Sequence, residues 1–147
     1  MAYITKQDLL DELGEDLLIQ LTNDEGSDTI VESVVNKAIE YAEGTFNSYV
    51  RLRYTVPVPV TQMVKSLCLE LATYHLFKKR ATVDEGVFKI RKIGFDEALA
   101  RLNDINAGKA ALDVPTVEET KENPTTGDKV LSGRKTPQFT DSKLSGF

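Results

Sequence analysis

The chain has 147 residues, of which 41% are hydrophobic and 28% are charged, and it carries a net charge of −5 at neutral pH. This length fits a single domain with room for an appendage, and a body of this size needs no disulfide or metal to stabilise it. The acidic balance, with a pI of about 5.0, argues against a protein that grips DNA phosphates, since such proteins normally carry a basic face and a domain pI above about 9.

The sole cysteine, Cys68, excludes an intrachain disulfide and a zinc site built from several thiolates, which suits a reducing cytoplasm. Asp8 and Asp11 stand where a signal peptide would have its apolar core. No apolar run approaches the roughly 18 residues of a membrane span. We therefore expect a protein that is made in a reducing cytoplasm and has no membrane partner.

Two short helices are predicted at the start of the chain. Thr5 followed by Asp8 has the pattern of a capping box, and Gly14 is placed to stop the first helix. A second short helix or turn then leads to a polar loop that ends at Asp28. The apolar residues of these two segments are Leu9, Leu10, Leu13, Leu17, Leu18 and Leu21.

The clearest helical period follows this loop. Thr29 with Glu32 has the pattern of a second capping box, and the period continues through Gly44 to a predicted end near Arg51. The predicted apolar face of this helix consists of Ile30, Val34, Ala38, Tyr41 or Ala42, Thr45, Tyr49 and Leu52.

A proline-stiffened connector is predicted at residues 54–59. Pro57 and Pro59 each push the preceding residue into extended geometry, so the segment cannot continue a helix. Thr61 is placed to cap the next helix, which ends in the cations of residues 78–80. Its predicted apolar stripe consists of Met63 or Val64, Leu67, Leu71, Tyr74 and Phe77 or Lys78.

A loop at residues 82–86 leads to the last long helix. Gly94 is expected to weaken or break the first turn of this helix, and Gly108 is predicted as the C′ residue that ends it. The apolar period of the helix consists of Phe88, Arg91 or Lys92, Phe95, Ala98 or Leu99, Leu102 and Ile105. The sequence thus predicts a mainly α fold, a small multi-helix bundle with a body at residues 1–112.

The composition changes after Leu112. Residues 113–147 hold three of the five prolines, and their charges nearly cancel, six acidic against five basic. Such a segment cannot bury enough apolar surface to order alone, so we expect an extended C-terminal arm that orders on a neighbouring subunit or another partner. The predicted partner-binding anchors of the arm are Val130, Leu131, Phe139, Leu144 and Phe147.

The sequence contains no arrangement of residues that is typical of a catalytic site. His75, the sole histidine, has neither a nucleophile nor an orienting partner at a recognisable spacing. Cys68 lies on an apolar helix, so a buried thiol is favoured over a reactive one. The glycines are scattered and form no phosphate-binding loop. We therefore predict that the protein is not an enzyme, with no catalytic residue and no cofactor.

The polar loop at residues 23–28 partly resembles a calcium-binding loop. With Gly26 at the sixth position, Glu32 falls at the twelfth, where a bidentate ligand belongs. Leu21, however, stands at the first position, which requires a carboxylate. We therefore predict a polar turn that leads into the Thr29 cap, and no metal site.

Two basic clusters are candidates for a surface that faces DNA or a partner protein. They consist of Arg51 with Arg53, and of Lys78, Lys79 and Arg80. Helix-end capping explains the second cluster without nucleic acid. A small nucleic-acid-binding or regulatory protein that uses both clusters remains the alternative, and a salt titration of DNA binding would distinguish it.

Several short motifs in a fixed order carry a resemblance to a known family. They are Met1-Ala2-Tyr3-Ile4-Thr5 with Asp8-Leu9 and Leu13-Gly14, then Arg53-Tyr54-Thr55-Val56-Pro57, then Glu70-Leu71-Ala72-Thr73-Tyr74-His75-Leu76 with Lys79-Arg80, and finally Phe95-Asp96-Glu97-Ala98-Leu99 with Gly108-Lys109. Over residues 1–112 their order and spacing resemble a family encoded in Mu-like phage genomes, the head–tail connectors or adaptors. The loop at residues 23–28 and the long arm depart from the family pattern.

The resemblance implies a structural protein of the virion neck that is present in the host cytoplasm during assembly. It implies that copies of the chain form a ring of about twelve beneath the portal, with contacts repeated by rotation. The implied partners are the portal protein and a downstream neck or tail-terminator protein. Genomic DNA is implied only as passing content of the channel, which the ring would maintain while allowing tail attachment.

Overall fold

The computed structural model describes residues 2–23, 26–80 and 84–115. The chain divides by its contacts into two units, Met1–Val114 and Pro115–Phe147, and the first contains the helical body. The described residues form helices and no strand, which confirms the predicted mainly α fold. The helices are α1 at Lys6–Leu13, α2 at Glu15–Thr22, α3 at Glu32–Val50, α4 at Gln62–Lys78 and α5 at Glu85–Asn106.

The two predicted N-terminal helices are confirmed. The Thr5 hydroxyl accepts a hydrogen bond from the backbone N–H of Asp8, and the Asp8 carboxylate accepts one from the backbone N–H of Thr5. Gly14, with a φ of 87°, ends α1 and stands directly before α2. Glycine adopts this left-handed backbone without the steric cost that a Cβ brings.

The predicted capping box of Thr29 with Glu32 is wrong. Helix α3 begins at Glu32 with Val31 at the N-cap, and no side chain caps it. The preceding turn explains the shift, because Thr22 Oγ1 accepts the backbone N–H of Val31 at 3.1 Å and the Asn23 amide donates to the Thr29 carbonyl at 3.4 Å. These hydrogen bonds hold the chain out of helical geometry up to Val31, so the polar turn does not lead into a Thr29 cap.

The buried face of α3 lies about one residue away from the predicted one. Ala38 and Ala42 are buried as predicted, but Leu52 is 76% exposed and Tyr41 is 37% exposed. The helix ends at Val50, close to the predicted end, and the chain turns away before Leu52. The buried residues of α3 are Val35, Ala38, Ile39, Ala42, Phe46 and Val50.

The connector between α3 and α4 is tied to the rest of the body by two tyrosines. Tyr54, which is buried, accepts the backbone N–H of Leu112 on its hydroxyl at 2.9 Å. The hydroxyl of Tyr3 accepts the backbone N–H of Val58 at 3.2 Å and donates to Asn47 Oδ1 at 2.6 Å. The proline segment therefore holds a fixed position between the N-terminal residues and the segment that follows α5.

Helix α4 packs against both α3 and α5, with lighter contacts to α1 and α2. Thr61 caps it as predicted, since its hydroxyl accepts the backbone N–H of Val64 at 3.3 Å. A helix covered on several sides is buried beyond a single stripe, and for this reason the predicted stripe was too narrow. The buried residues of α4 are Val64, Leu67, Cys68, Leu71, Ala72, Thr73, Leu76 and Phe77.

Helix α5 is continuous through Gly94, so the expected break there is wrong. Its buried residues, Ala98, Leu102 and Ile105, belong to the predicted period. The predicted C′ glycine is confirmed, because Gly108 has a φ of 83° and donates its N–H to the Ile105 carbonyl at 3.1 Å. The next N–H, that of Lys109, donates to the Asp104 carbonyl at 2.8 Å, which completes a Schellman motif.

Candidate functional site

A groove of about 430 Å³ runs between α4 and α5. The Glu70 carboxylate of α4 lies in this groove against Gly94 of α5, where a Cβ on residue 94 would clash with it. Glycine at this position therefore lets the two helices approach while the carboxylate stays between them. Further lining residues are Met63, Ser66, Leu67, Glu97, Ala98 and Arg101.

A second hollow of about 350 Å³ continues the groove towards the end of α5. Met63, Glu97 and Arg101 line both hollows, while Asp104 and residues 110–111 line the second alone. We refer to the two hollows together as the α4–α5 groove. Three carboxylates and one guanidinium line it, so its surface is acidic at neutral pH.

Glu70 is the least exposed of the three carboxylates in the α4–α5 groove. Burial raises the pKa of this carboxyl above its ordinary value, Arg91 opposes the shift, and Glu12 and Glu97 add to it. Arg91 is shared with Glu12, its Nη1 lying 3.4 Å from Glu12 Oε2. None of the hydrogen bonds and ion pairs among the described residues involves the Glu70 carboxylate, so the charge that it carries at neutral pH is only partly balanced.

Substitution of Glu70 by glutamine is expected to raise the free energy of unfolding at pH 7, by no more than about 1 kcal/mol because the side chain keeps part of its solvent screening. The folded-state pKa of Glu70 is raised, so the charged form destabilises the folded chain. The gain should therefore be absent below the ordinary pKa of 4.5 and appear as the pH rises above it. Urea unfolding at pH 4 and pH 7 measures this difference.

The matched control for this experiment is Glu40→Gln, because Glu40 is exposed on α3. The control is expected to show no comparable gain between the two pH values. A Glu70→Gln variant that is less stable than the parent chain at pH 7 would show that the carboxylate has a stabilising partner.

Apolar side chains are exposed near both ends of α5. The α5 patch consists of Val87, Ile90 and Ile93, which are 38%, 68% and 58% exposed. Leu52 is 76% exposed and adjoins Arg53, whose guanidinium approaches Gly108 beyond the other end of the helix. From Ile90 to its last residue, α5 rises by roughly 24 Å. Leu52 and the α5 patch are therefore separate from each other on the body, and among the described residues Tyr41 and Val60 are also exposed, at 37% and 38%.

The structure does not bring the two basic clusters together. Arg53 approaches Gly108 after the end of α5, whereas Phe77, which precedes Lys78, packs below the guanidinium of Arg91 at 5.7 Å. Roughly 20 Å of helix separates these two levels of α5. The clusters are thus two small patches and do not form one continuous basic face.

Arg80 forms a structural contact within the body. Its Nε donates to the Leu21 carbonyl at 3.2 Å and its Nη2 donates to the Asn23 carbonyl. These carbonyls lie at the C-terminal end of α2, where helix carbonyls lack partners of their own. Arg80 therefore joins the end of α2 to the end of α4. The exposed members of the clusters are Arg51, Arg53, Lys78 and Lys79.

His75 and Cys68 are packed side chains, in agreement with the roles expected from the sequence. The His75 ring stacks on Tyr41 with the centroids 4.4 Å apart. Burial lowers the pKa of His75, and Lys79 and Lys78 lower it further. Burial raises the pKa of the Cys68 thiol to about 12, so the reactive thiolate is scarce at neutral pH.

Within residues 2–23, 26–80 and 84–115, no group of three or more His, Cys, Asp and Glu side chains could hold a metal ion. Part of the polar loop lies outside these ranges, and among its described residues the Asn23 amide donates to Ser27 Oγ at 2.7 Å. The predicted anchors of the arm lie wholly outside the described residues; they are Val130, Leu131, Phe139, Leu144 and Phe147.

Sequence reasoning missed the α4–α5 groove and the α5 patch. Whether Glu70 faces Gly94 depends on how α4 is aligned with α5, and the apolar period of each helix does not give that alignment. The α5 patch did leave a signal, because Ile90 and Ile93 are large apolar residues outside the predicted stripe of α5. Such residues indicate either a wrong stripe or a contact with a partner.

These features define a small helical-bundle protein whose body has an acidic groove and several exposed apolar side chains. Among the described residues, no helix is both long and apolar enough to cross a lipid bilayer. The model of the family described as Bacteriophage Mu, Gp36 matches residues 3–130. The chain therefore belongs to this family of bacteriophage proteins, which confirms the Mu-like phage resemblance of its motifs.

The family match spans the body and continues into the arm as far as residue 130. Membership favours a structural or morphogenesis protein of a phage. No curated protein matches the chain.

Proposed function

We propose that the protein is a head–tail connector of a Mu-like phage, an adaptor that forms a ring between portal and tail. In this role it maintains the channel for the genome and allows the tail to attach, without enzymatic activity. The observation that carries the proposal is the family match over residues 3–130, in a chain whose motifs resemble those of the connectors.

The separation of Leu52 from the α5 patch supports a ring. Each subunit of a closed ring contacts the copy before it with one surface and the copy after it with a different surface. Leu52 and the α5 patch lie near opposite ends of α5 and are chemically suited to be buried. A dimer with twofold symmetry would need only one self-complementary surface.

The connections within the body support a structural role. Two connecting segments that could otherwise move, the proline connector and the segment after α5, are held by the hydroxyls of Tyr3 and Tyr54. A subunit that transmits contacts between a head and a tail needs such a fixed spacing between its surfaces.

The charge distribution is compatible with DNA as a passing molecule. Residues 116–147 contain five acidic and five basic residues, so residues 1–115 carry the whole net charge of −5. An acidic body repels DNA phosphates at long range, and a channel wall of the same sign as its contents does not retain them.

Leu52→Asp is expected to weaken ring formation about tenfold or more while leaving the body folded. A charge at an exposed apolar contact must be desolvated when the neighbouring subunit approaches, but it costs little in the free chain. The measurement is the mass of the protein mixed with portal, by analytical ultracentrifugation. Thr55→Asp, an exposed polar position in the same connector, is the matched control and should form rings as the parent chain does.

The test of the proposed function is the mass of the purified protein alone and then with a portal. We expect a monomer alone, because a ring that closed early would compete with assembly on its template. With portal we expect a closed ring of about twelve copies. A stable dimer that does not bind portal would contradict the connector role, and Leu52→Asp rings indistinguishable from those of the parent would show that Leu52 lies outside the contact.

A further inference from the structure

The charges of the arm are segregated along its sequence. Residues 116–128 contain four acidic residues and one lysine, whereas residues 129–135, with the sequence KVLSGRK, contain three basic residues and no acidic one. We refer to residues 129–135 as the basic segment. It also contains two adjacent aliphatic residues, Val130 and Leu131.

The α4–α5 groove has the complementary properties. Glu70 is half-buried, its pKa is raised by burial, and no hydrogen bond from the described residues reaches it. Glu97 and Asp104 add negative charge against the single Arg101. Ile90 lies one turn before Gly94 on the same side of α5 and is 68% exposed, so it places aliphatic surface beyond the end of the groove that holds Glu70. The cations of the basic segment match the carboxylates of the groove, and its aliphatic residues match the exposed side chain of Ile90.

The length of the arm allows the basic segment to reach another copy. The hydroxyl of Thr61 donates to Asp113 Oδ1 at 2.8 Å, which fixes the point where the body ends beside the start of α4. The segment at residues 116–128 extends to at most roughly 43 Å. A compact body of about 115 residues is roughly 35 Å wide. The basic segment can therefore span one subunit and meet the same groove on the next.

We propose that the basic segment of one copy docks in the α4–α5 groove of the neighbouring copy, with a cation on Glu70 and the aliphatic residues beside Ile90. The inference rests on the proposed ring in one respect, because the ring provides the neighbour. A cation gives the Glu70 carboxylate a charge-assisted hydrogen bond, which is stronger than a neutral one. Repetition around a closed ring multiplies a modest contact through effective concentration.

A peptide experiment tests the docking without a ring. A fluorescently labelled peptide of residues 127–137 is titrated with the full chain, and its anisotropy is measured. We expect binding that weakens with salt and that Glu70→Lys weakens about tenfold or more. Glu40→Lys, at an exposed position of α3, is the matched control and should bind as the parent chain does. A peptide with Arg134→Glu and Lys135→Glu should not bind, and equal binding by both peptides would overturn the proposal.

A cross-linking experiment tests the neighbour as the source of the segment. Ser66→Cys places a thiol in the groove and Ser132→Cys places one in the basic segment. The two variants are mixed on portal and oxidised, and we expect covalent dimers to form about tenfold faster than with Ser48→Cys, an exposed position of α3, in place of Ser66→Cys. Cys68 remains in all chains, because its buried thiol with a pKa of about 12 reacts slowly.

The outcomes separate this inference from the proposed function. Covalent dimers on portal support the docking in a neighbour. If a chain that carries both Ser66→Cys and Ser132→Cys forms only an intramolecular disulfide, the groove takes the basic segment of its own copy. Docking in a neighbouring copy is then overturned. If neither bond forms although the variants bind portal, the docking is overturned while the connector role stands. If the variants do not bind portal, the connector role fails, and the peptide titration still decides whether the groove takes the basic segment.

Discussion

A chain that ends at Pro115 is expected to keep its helical body and to lose neck assembly. The body should remain folded, because its helices and the hydrogen bonds that Leu112 and Asp113 make with Tyr54 and Thr61 lie within residues 1–115. A chain that ended after Leu112, where the composition changes, would lose the contact of Asp113 with Thr61. The chain that ends at Pro115 keeps this contact, so its melting temperature is expected to shift by no more than about 4 °C.

The loss of assembly in this variant should be large. In our proposal each subunit is joined to its neighbours by the body and the arm, and removal of one of two linked contacts lowers the overall affinity by about a hundredfold or more. Infectious particles from a complementation assay measure this loss, and circular dichroism of the purified chain confirms the fold. A chain whose residues 116–147 are replaced by Gly and Ser at equal length is the control for length alone. Normal virions with the truncated chain would reduce the arm to a spacer.

Local signals in the sequence predicted the helices well. Thr5 and Thr61 cap helices as expected, and Gly14 and Gly108 end them, because caps and C′ glycines depend on residues within one turn. The apolar period placed α5 correctly through Leu102. These features need no knowledge of the remaining chain, and the sequence alone is sufficient for them.

The errors arose where a distant residue decides the local structure. Thr29 has the right neighbours for a cap, but hydrogen bonds with Thr22 and Asn23 hold that region out of the helix. Gly94 has the low helix propensity of any glycine, but here it accommodates the Glu70 carboxylate across a helix contact. Both cases depend on which segments meet in space, and a single sequence does not specify this.

The features of the candidate site also divide into those that the sequence identifies and those that require the structure. The exposed cations Arg51, Arg53, Lys78 and Lys79 could be identified from composition, but their separation along α5 and the use of Arg80 as a helix-end contact could not. Charge segregation within the arm, by contrast, is visible in the sequence once the groove supplies a reason to look for it. Structure and sequence thus each provide one half of the proposed contact between copies.

Tyr54 links the proline connector to the origin of the arm, and Tyr54→Ala is expected to lower the free energy of unfolding by about 3–5 kcal/mol. Its side chain is 1% exposed, so alanine leaves a cavity, and the Leu112 N–H loses its partner. Since small domains are stable by only about 5–15 kcal/mol, the variant should be partly unfolded at moderate temperature. The measurement is urea unfolding followed by circular dichroism at 25 °C.

Two further variants separate the cavity from the hydrogen bond at Tyr54. Tyr54→Phe keeps the ring and removes only the hydroxyl, so it should cost about 1–3 kcal/mol for the unsatisfied N–H of Leu112. Leu52→Ala, in the same connector but 76% exposed, should change stability by no more than about 0.5 kcal/mol. If Tyr54→Phe costs as little as Leu52→Ala, the Leu112 N–H finds water instead. The segment that follows α5 would then be held by packing and by the hydrogen bond between Thr61 and Asp113.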